Sequence, residues 1–223
     1  MSIFDVEAKT YDSWYSTKMG AYVDEVETNC AFKLFPIKEG MQVLDVGCGT
    51  GNFSIKLAKM GCKVVGIDMS EEMLKIAQEK VRGRNLNIEF YKMDVLDLKF
   101  QDEYFDGIFS MAVFEFIQNP DRAMDEMFRV LRKNGHLLIG TINRDSRWGQ
   151  MYLTEEFQKN SVFKYANFKT VEEMKNLKKD YLVKVLQCLY IPPDAKDEDI
   201  SLEKELELSK TGKGGFICAL WKK

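Results

Sequence analysis

The chain has 223 residues, 45% of them hydrophobic and 30% charged, which suits one soluble globular domain with a core of its own. Its net charge of -3 gives no basic footprint, so neither nucleic acid nor an anionic membrane is expected as a partner. No apolar run approaches the roughly 18 residues needed to span a bilayer, and the start MSIFDVEAKTYD has neither the basic nor the apolar part of a signal peptide.

Along the chain, residues 1–35 open on the aromatic cluster Tyr11-Asp12-Ser13-Trp14-Tyr15 and continue as a helix-like stretch, expected to form an N-terminal cap. The short apolar runs Gln42–Val46, Lys63–Ile67, Asn87–Tyr91, Phe105–Ser110 and His136–Ile142 read as strands, with helical patterns between them. The first of these strands runs into VLDVGCGTGN, with glycines at 47, 49 and 51, and then into a helix marked by Phe53 and Leu57 four apart. Ser70 can cap a helix over Glu71–Val81, with Glu71 and Glu72 favourable in its first turn. Asn119-Pro120 opens another, with Met124, Met127, Phe128 and Leu131 as its apolar stripe and Asn134-Gly135 as its stop. Alternating strands and helices predict a parallel sheet covered on both faces. Residues 143–180 are polar and aromatic without a strand pattern, as a lid inserted after the fifth strand would be. Two last strands, Tyr181–Ile191 and Gly215–Trp221, are joined by a charged connection that suits an antiparallel pair. Five scattered cysteines, 30, 48, 62, 188 and 218, form no CxxC pair. No disulfide framework or metal site is expected, and a reducing cytoplasm fits best.

Strand, glycine turn and helix together hold nucleotide-like ligands against bare backbone. A dinucleotide site wants GxGxxG. Here the third glycine comes one residue early and Asn52 takes its place, which moves the ligand away from a pyrophosphate. Asp68, about twenty residues on, stands where an acid accepts from ribose hydroxyls. Asp94, at the end of the third predicted strand, can accept an adenine amine while a neighbouring N–H meets the ring. Gly49, Asp68, Asp94 and Met111 then all fall at the carboxyl edge of the sheet, where open α/β folds bind ligands.

With these residues the chain resembles the class I S-adenosylmethionine-dependent methyltransferases, in the small-molecule subgroup that includes ubiquinone/menaquinone-biosynthesis-type enzymes. The resemblance covers about residues 5–145. Asp45, Gly47, Gly49 and Gly51 match the first motif, Asp68-Met69 the ribose acid and its neighbour, and Asp94-Val95 the adenine acid. Tyr11-Asp12 resembles a segment that folds over the cofactor. The resemblance implies a single domain over residues 1–223, with a doubly wound Rossmann-like α/β sheet of seven strands, mostly parallel with the last strand antiparallel. It implies S-adenosylmethionine as cofactor, S-adenosylhomocysteine as product, and transfer to a small-molecule acceptor by in-line displacement. The cofactor residues would be Tyr11, Gly47, Cys48, Gly49, Asp68, Met69, Asp94, Val95 and Met111, with packing the role of the Cys48 thiol.

No residue announces itself as a catalyst. Where relatives have His after the fourth strand, this chain has Phe114-Glu115-Phe116. Glu115, Tyr11 and Tyr15 could approach the methyl group, whereas His136 begins a buried strand and reads as structural. An arsenite-methylating reading needs grouped cysteines, and Cys30, Cys62, Cys188 and Cys218 show no grouping. Aromatic rings in the cap and lid would suit a flat, apolar or cationic acceptor. The alternatives are a cofactor-binding regulatory protein without turnover, a protein methyltransferase, and an NAD-dependent oxidoreductase, the last disfavoured by Asn52.

Overall fold

In the computed structural model, which describes residues 3–223, seven strands form a single sheet of order β3-β2-β1-β4-β5-β7-β6. Before it come α1 (Ala8–Tyr11) and α2 (Lys18–Leu34), the second capped by Thr17. The wound part runs β1 (Gln42–Val46), α3 (Asn52–Lys59), β2 (Lys63–Asp68), α4 (Glu71–Val81), β3 (Ile88–Lys92), β4 (Phe105–Met111), α5 (Pro120–Val130) and β5 (Leu131–Ile142). Then follow α6 (Arg147–Tyr152), α7 (Glu155–Asn160), α8 (Val171–Asn176), β6 (Leu182–Cys188), α9 (Leu202–Leu208) and β7 (Phe216–Lys222). Strands β1 to β5 pair in parallel, and β7 runs antiparallel to both β5 and β6. The expected class and topology are those observed.

Local chemistry explains the element ends. Ser70 accepts from Met73 N–H at the start of α4, and Asn119 accepts from Arg122 N–H with Pro120 in the first helical position of α5. The end of α5 differs from expectation. The helix stops at Val130, and Leu131 leaves it directly into β5, opposite Phe105. The apolar Leu131 suits either pattern, and its burial between the sheet and α5 decides for the strand. Asn134-Gly135 is instead a bend inside β5, where Asn134 sits at φ 64° and pairs with the chain end through Lys223.

Helices α2 and α3 cover one face of the sheet and α5 the other, giving two buried apolar layers. Strand order reverses beside β1, between β2 and β4, which opens a crevice at the carboxyl ends of these strands. No helix among the described residues is long and apolar enough to cross a membrane.

Candidate functional site

The crevice is built on the glycine turn. Gly47, Gly49 and Gly51 all have positive φ, at 68°, 52° and 81°. The N–H groups of Gly47 and Cys48 both donate to the Ile67 carbonyl, at 2.8 and 2.9 Å, which locks the turn against β2. A Cβ on Gly47 would strike Val113 at 2.5 Å, whereas one on Gly49 would meet nothing within 4 Å. Gly49 therefore presents bare backbone to open space. Asp68 stands over the same turn. Its Oδ2 accepts from Gly49 N–H at 2.9 Å and its Oδ1 from Ser70 N–H at 2.8 Å. Burial pushes its carboxyl up, and these backbone donors hold it back in part. Asp94 lies two residues beyond β3, not at its end, and caps the turn Val95–Asp97 through Leu96 N–H at 2.9 Å. Each of these carboxylates keeps acceptor capacity for a ligand.

Eight of the nine expected cofactor residues line one cavity of about 430 Å³: Tyr11, Gly47, Gly49, Asp68, Met69, Asp94, Val95 and Met111. Cys48 is the ninth. Its N–H is spent on Ile67, and its thiol turns into the core beside Gly66, so it lines no part of the cavity.

A second cavity of about 320 Å³ shares Phe4, Tyr11, Ala112 and Phe116 with the first. Its walls are largely aromatic, with Trp14, Tyr15, Trp148, Tyr152, Phe157 and Phe163 drawn from the N-terminal segment and from residues 143–180. Three carboxyl residues line it: Glu7 at the start of α1, Glu27 of α2 and Glu115 just after β4. Glu115 is 1% exposed. Thr141 Oγ1 donates to its Oε2 at 2.9 Å, while Oε1 has no hydrogen-bond partner among the described residues. Burial pushes this carboxyl up to about 7, and Thr141 and the nearby backbone of Glu115 and Ile142 oppose the shift without pairing Oε1. Burial also raises Glu27 well above the usual carboxylate range, helped by the charges of Glu115 and Asp24 and opposed by Lys56.

The N-terminal segment is fastened over the turn by Asp12. Its Oδ1 accepts from Thr50 Oγ1 at 2.8 Å and from Asn52 Nδ2 at 3.1 Å, and its Oδ2 pairs with Lys80 Nζ at 2.9 Å. Asn52 thus has work of its own, which explains its presence where a dinucleotide site has glycine. The later segment is tied down through Asn167 N–H, which donates to the Glu115 carbonyl at 2.7 Å, and through Trp148 Nε1, which donates to the Ile191 carbonyl at 2.8 Å. Tyr15 lies behind Tyr11, their hydroxyls 3.5 Å apart. His136 lines neither cavity.

Two features escaped sequence reasoning. Glu27 interrupts the buried stripe Val23, Val26, Cys30 and Ala31 of α2, and a carboxylate at that spacing was the available signal. The cysteines are the second. Cys30, Cys188 and Cys218 do gather, with their sulfur atoms within 4.8 Å of one another, against the expectation of no grouping. Three distant elements bring them together, and no spacing in the chain announces it.

Residues 37–202 match the family model described as a methyltransferase domain. The chain belongs to this methyltransferase family. It is 34% identical over 222 residues to an uncharacterized protein of Methanocaldococcus jannaschii, covering 98% of this chain and 97% of that one. It is 36% identical over 107 residues to the ubiquinone biosynthesis O-methyltransferase of Coxiella burnetii, covering 48% of this chain and 46% of that enzyme. The methyltransferase thus aligns with only about half the length of that relative. Among solved structures, a Thermotoga maritima S-adenosylmethionine-dependent methyltransferase, a possible histamine N-methyltransferase, superposes with a TM-score of 0.76 at 25% identity, over 99% of this chain and 98% of that one. The chain is an S-adenosylmethionine-dependent methyltransferase, and the oxidoreductase reading is set aside.

Proposed function

We propose that the methyltransferase methylates the nitrogen of a small amine held in the aromatic cavity, with S-adenosylmethionine in the neighbouring one. The glycine turn, the acids Asp68 and Asp94 and the apolar Met69, Val95 and Met111 fit that cofactor. Gly47 and Gly49 would leave room for its methionine end, Asp68 would accept from the ribose hydroxyls, and Asp94 would accept from the adenine amine. When bound, the cofactor supplies a methyl group on a sulfonium centre, already activated for displacement. The N-terminal segment and residues 143–180 would serve as cap and lid, which exclude water and align the acceptor. Alignment of this kind supplies roughly 7–11 kcal/mol of barrier lowering.

One observation carries the choice of an amine: the Oε1 of Glu115, without a hydrogen-bond partner among the described residues and buried at the wall of an aromatic cavity. Aromatic faces and a carboxylate together recognise a cation. An ordinary alkylammonium loses its proton near pH 10. Glu115, raised by burial to about 7, is a stronger base than an exposed carboxylate. Burial also weakens the hold of the ammonium on its proton, and this narrows the gap further. Glu115 would anchor the ammonium and take its proton, freeing the nitrogen lone pair to attack. Glu27 would keep a second acceptor in reach. The name of the Thermotoga maritima neighbour agrees with an amine, and that of the Coxiella burnetii relative points to a hydroxyl acceptor.

The test pairs methyl-labelled cofactor with a panel of aromatic and alkyl amines, phenols, and whole-cell protein. Label on an amine, with kcat/KM falling by roughly 10²–10⁴ in Glu115→Gln, is the expected result. Label on a phenol or on polypeptide alone would overturn it.

A further inference from the structure

Beside the aromatic cavity, the three gathered cysteines come from three different elements. Cys30 projects from α2, Cys188 ends β6 and Cys218 lies within β7, and all three are buried. In the β6–β7 ladder Cys188 opposes Phe216 and Cys218 opposes Leu186. The two cysteines are therefore diagonal neighbours on one face, a relation that sets Cα atoms roughly 7–8 Å apart. That is at or beyond the limit of about 7 Å for a disulfide. An ion reaches across such a gap easily. Metal–sulfur bonds of about 2.3 Å place thiolates nearly 4 Å apart around one centre, inside the 4.8 Å limit within which these sulfurs lie.

The backbone around Cys188 is held in place. Leu189 takes the left-handed conformation at φ 65°, which a leucine rarely adopts. Its N–H donates to Glu205 Oε1 at 2.7 Å, and its carbonyl accepts from Gly215 N–H at 2.7 Å. Glu205 also accepts from the N–H groups of Tyr190 and Ile191, at 2.8 and 3.0 Å, and from the Tyr22 hydroxyl of α2. A buried carboxylate thus fixes the strand exit from which Cys188 points, and ties it to the helix that carries Cys30.

We propose that Cys30, Cys188 and Cys218 form a three-thiolate site for a divalent thiophilic metal ion, which clamps α2 to the β6–β7 pair. On binding, three S–H protons leave as three metal–sulfur bonds form, and nothing is oxidised or reduced. No histidine or carboxylate joins the group among the described residues. An all-sulfur, three-fold donor set selects soft ions over Mg²⁺ and Ca²⁺, which require oxygen ligands. None of the three sulfurs lines the acceptor or cofactor cavity, so the ion would be resident and not a methyl acceptor. Glu27, one helical turn before Cys30, does line the acceptor cavity, so the clamp steadies one of its walls. The site stands independently of the amine reading.

The experiment is an anaerobic titration of the reduced, metal-free full chain with Cd²⁺, read by the ultraviolet sulfur-to-metal charge-transfer band and by thermal melting. The band is expected to saturate at one ion per chain, with a rise in Tm that Mg²⁺ does not produce. Cys218→Ser and Cys188→Ser should each weaken Cd²⁺ binding at least tenfold, while Cys62→Ser, at a buried cysteine outside the group, binds as the parent does. The wild-type stoichiometry decides the matter even where a variant fails to fold. Absence of the band at one equivalent of Cd²⁺, or an equal loss in Cys62→Ser, would overturn the site.

Discussion

Thr141 Oγ1 donates to Glu115 Oε2 at 2.9 Å and leaves Oε1 of the same buried carboxyl without a hydrogen-bond partner among the described residues. This arrangement has a signature in stability. The carboxyl stands at about 7 in the folded chain against 4.5 for its ordinary value. Because the folded value is raised, the associated stability is full below the unfolded value and is lost as pH rises through the folded one. The complete difference is on the order of 3 kcal/mol. Glu115→Gln cannot ionise and escapes the loss. Its Tm should exceed that of the parent at about pH 8, and the gap should close towards about pH 5. Thermal melts at both pH values measure it, and a gap independent of pH would sink the assignment.

Asp68 links the glycine turn to the start of α4 by accepting from Gly49 and Ser70. If it also holds the ribose, Asp68→Ala should weaken S-adenosylmethionine binding by roughly 1.5–3 kcal/mol, the size of a hydrogen bond to a charged group. Titration calorimetry on the folded variant gives the number. Unchanged affinity would remove the ribose contact.

What the chain discloses by itself follows the range of the interaction. The limits of β1 and of α4 coincide with the predicted ones because apolar runs and the Ser70 cap act within a few residues. The stop at Asn134-Gly135 misleads because the same turn-forming pair serves equally as a bend near the start of a strand, where it pairs with Lys223. The cofactor edge is legible because all of its residues but Tyr11 sit at or just beyond the carboxyl end of a strand. The acceptor cavity is less so. Glu27 and Glu115 meet only through the packing of α2 against the sheet, and the three cysteines only through the β6–β7 pairing together with that same packing of α2.

Asp12 joins the N-terminal segment to Thr50 and Asn52 of the glycine turn and to Lys80 of α4, which come together only in the fold. Burial raises its carboxyl, but Lys80, Thr50 and Asn52 outweigh that and hold it below the usual value. A depressed acid contributes stability above its unfolded value and loses it as pH falls. The pair with Lys80 is partly exposed, so its contribution to global stability is small. The effect belongs to the segment. Asp12→Ala should leave Tm nearly unchanged, speed proteolysis ahead of Thr17, and raise KM for the cofactor several-fold. Limited proteolysis and initial rates test this together; a segment as resistant as in the parent would show that other contacts hold it.

Gly47 and Gly49 share a turn and a left-handed backbone, yet their surroundings separate what a methyl group would do at each. At either position alanine pays the conformational penalty of positive φ, of order 1–2 kcal/mol. At Gly47 the added carbon meets Val113 at 2.5 Å, between the turn and the residues that follow β4. Gly47→Ala should therefore unfold at a clearly lower temperature. At Gly49 the added carbon meets no protein atom within 4 Å and stands in the space the cofactor would fill. Gly49→Ala should keep most of its stability and lose most of its affinity for S-adenosylmethionine and S-adenosylhomocysteine. Melting curves and equilibrium binding on the two variants distinguish the roles. Parent-like affinity in Gly49→Ala would mean that the ligand does not lie against this glycine.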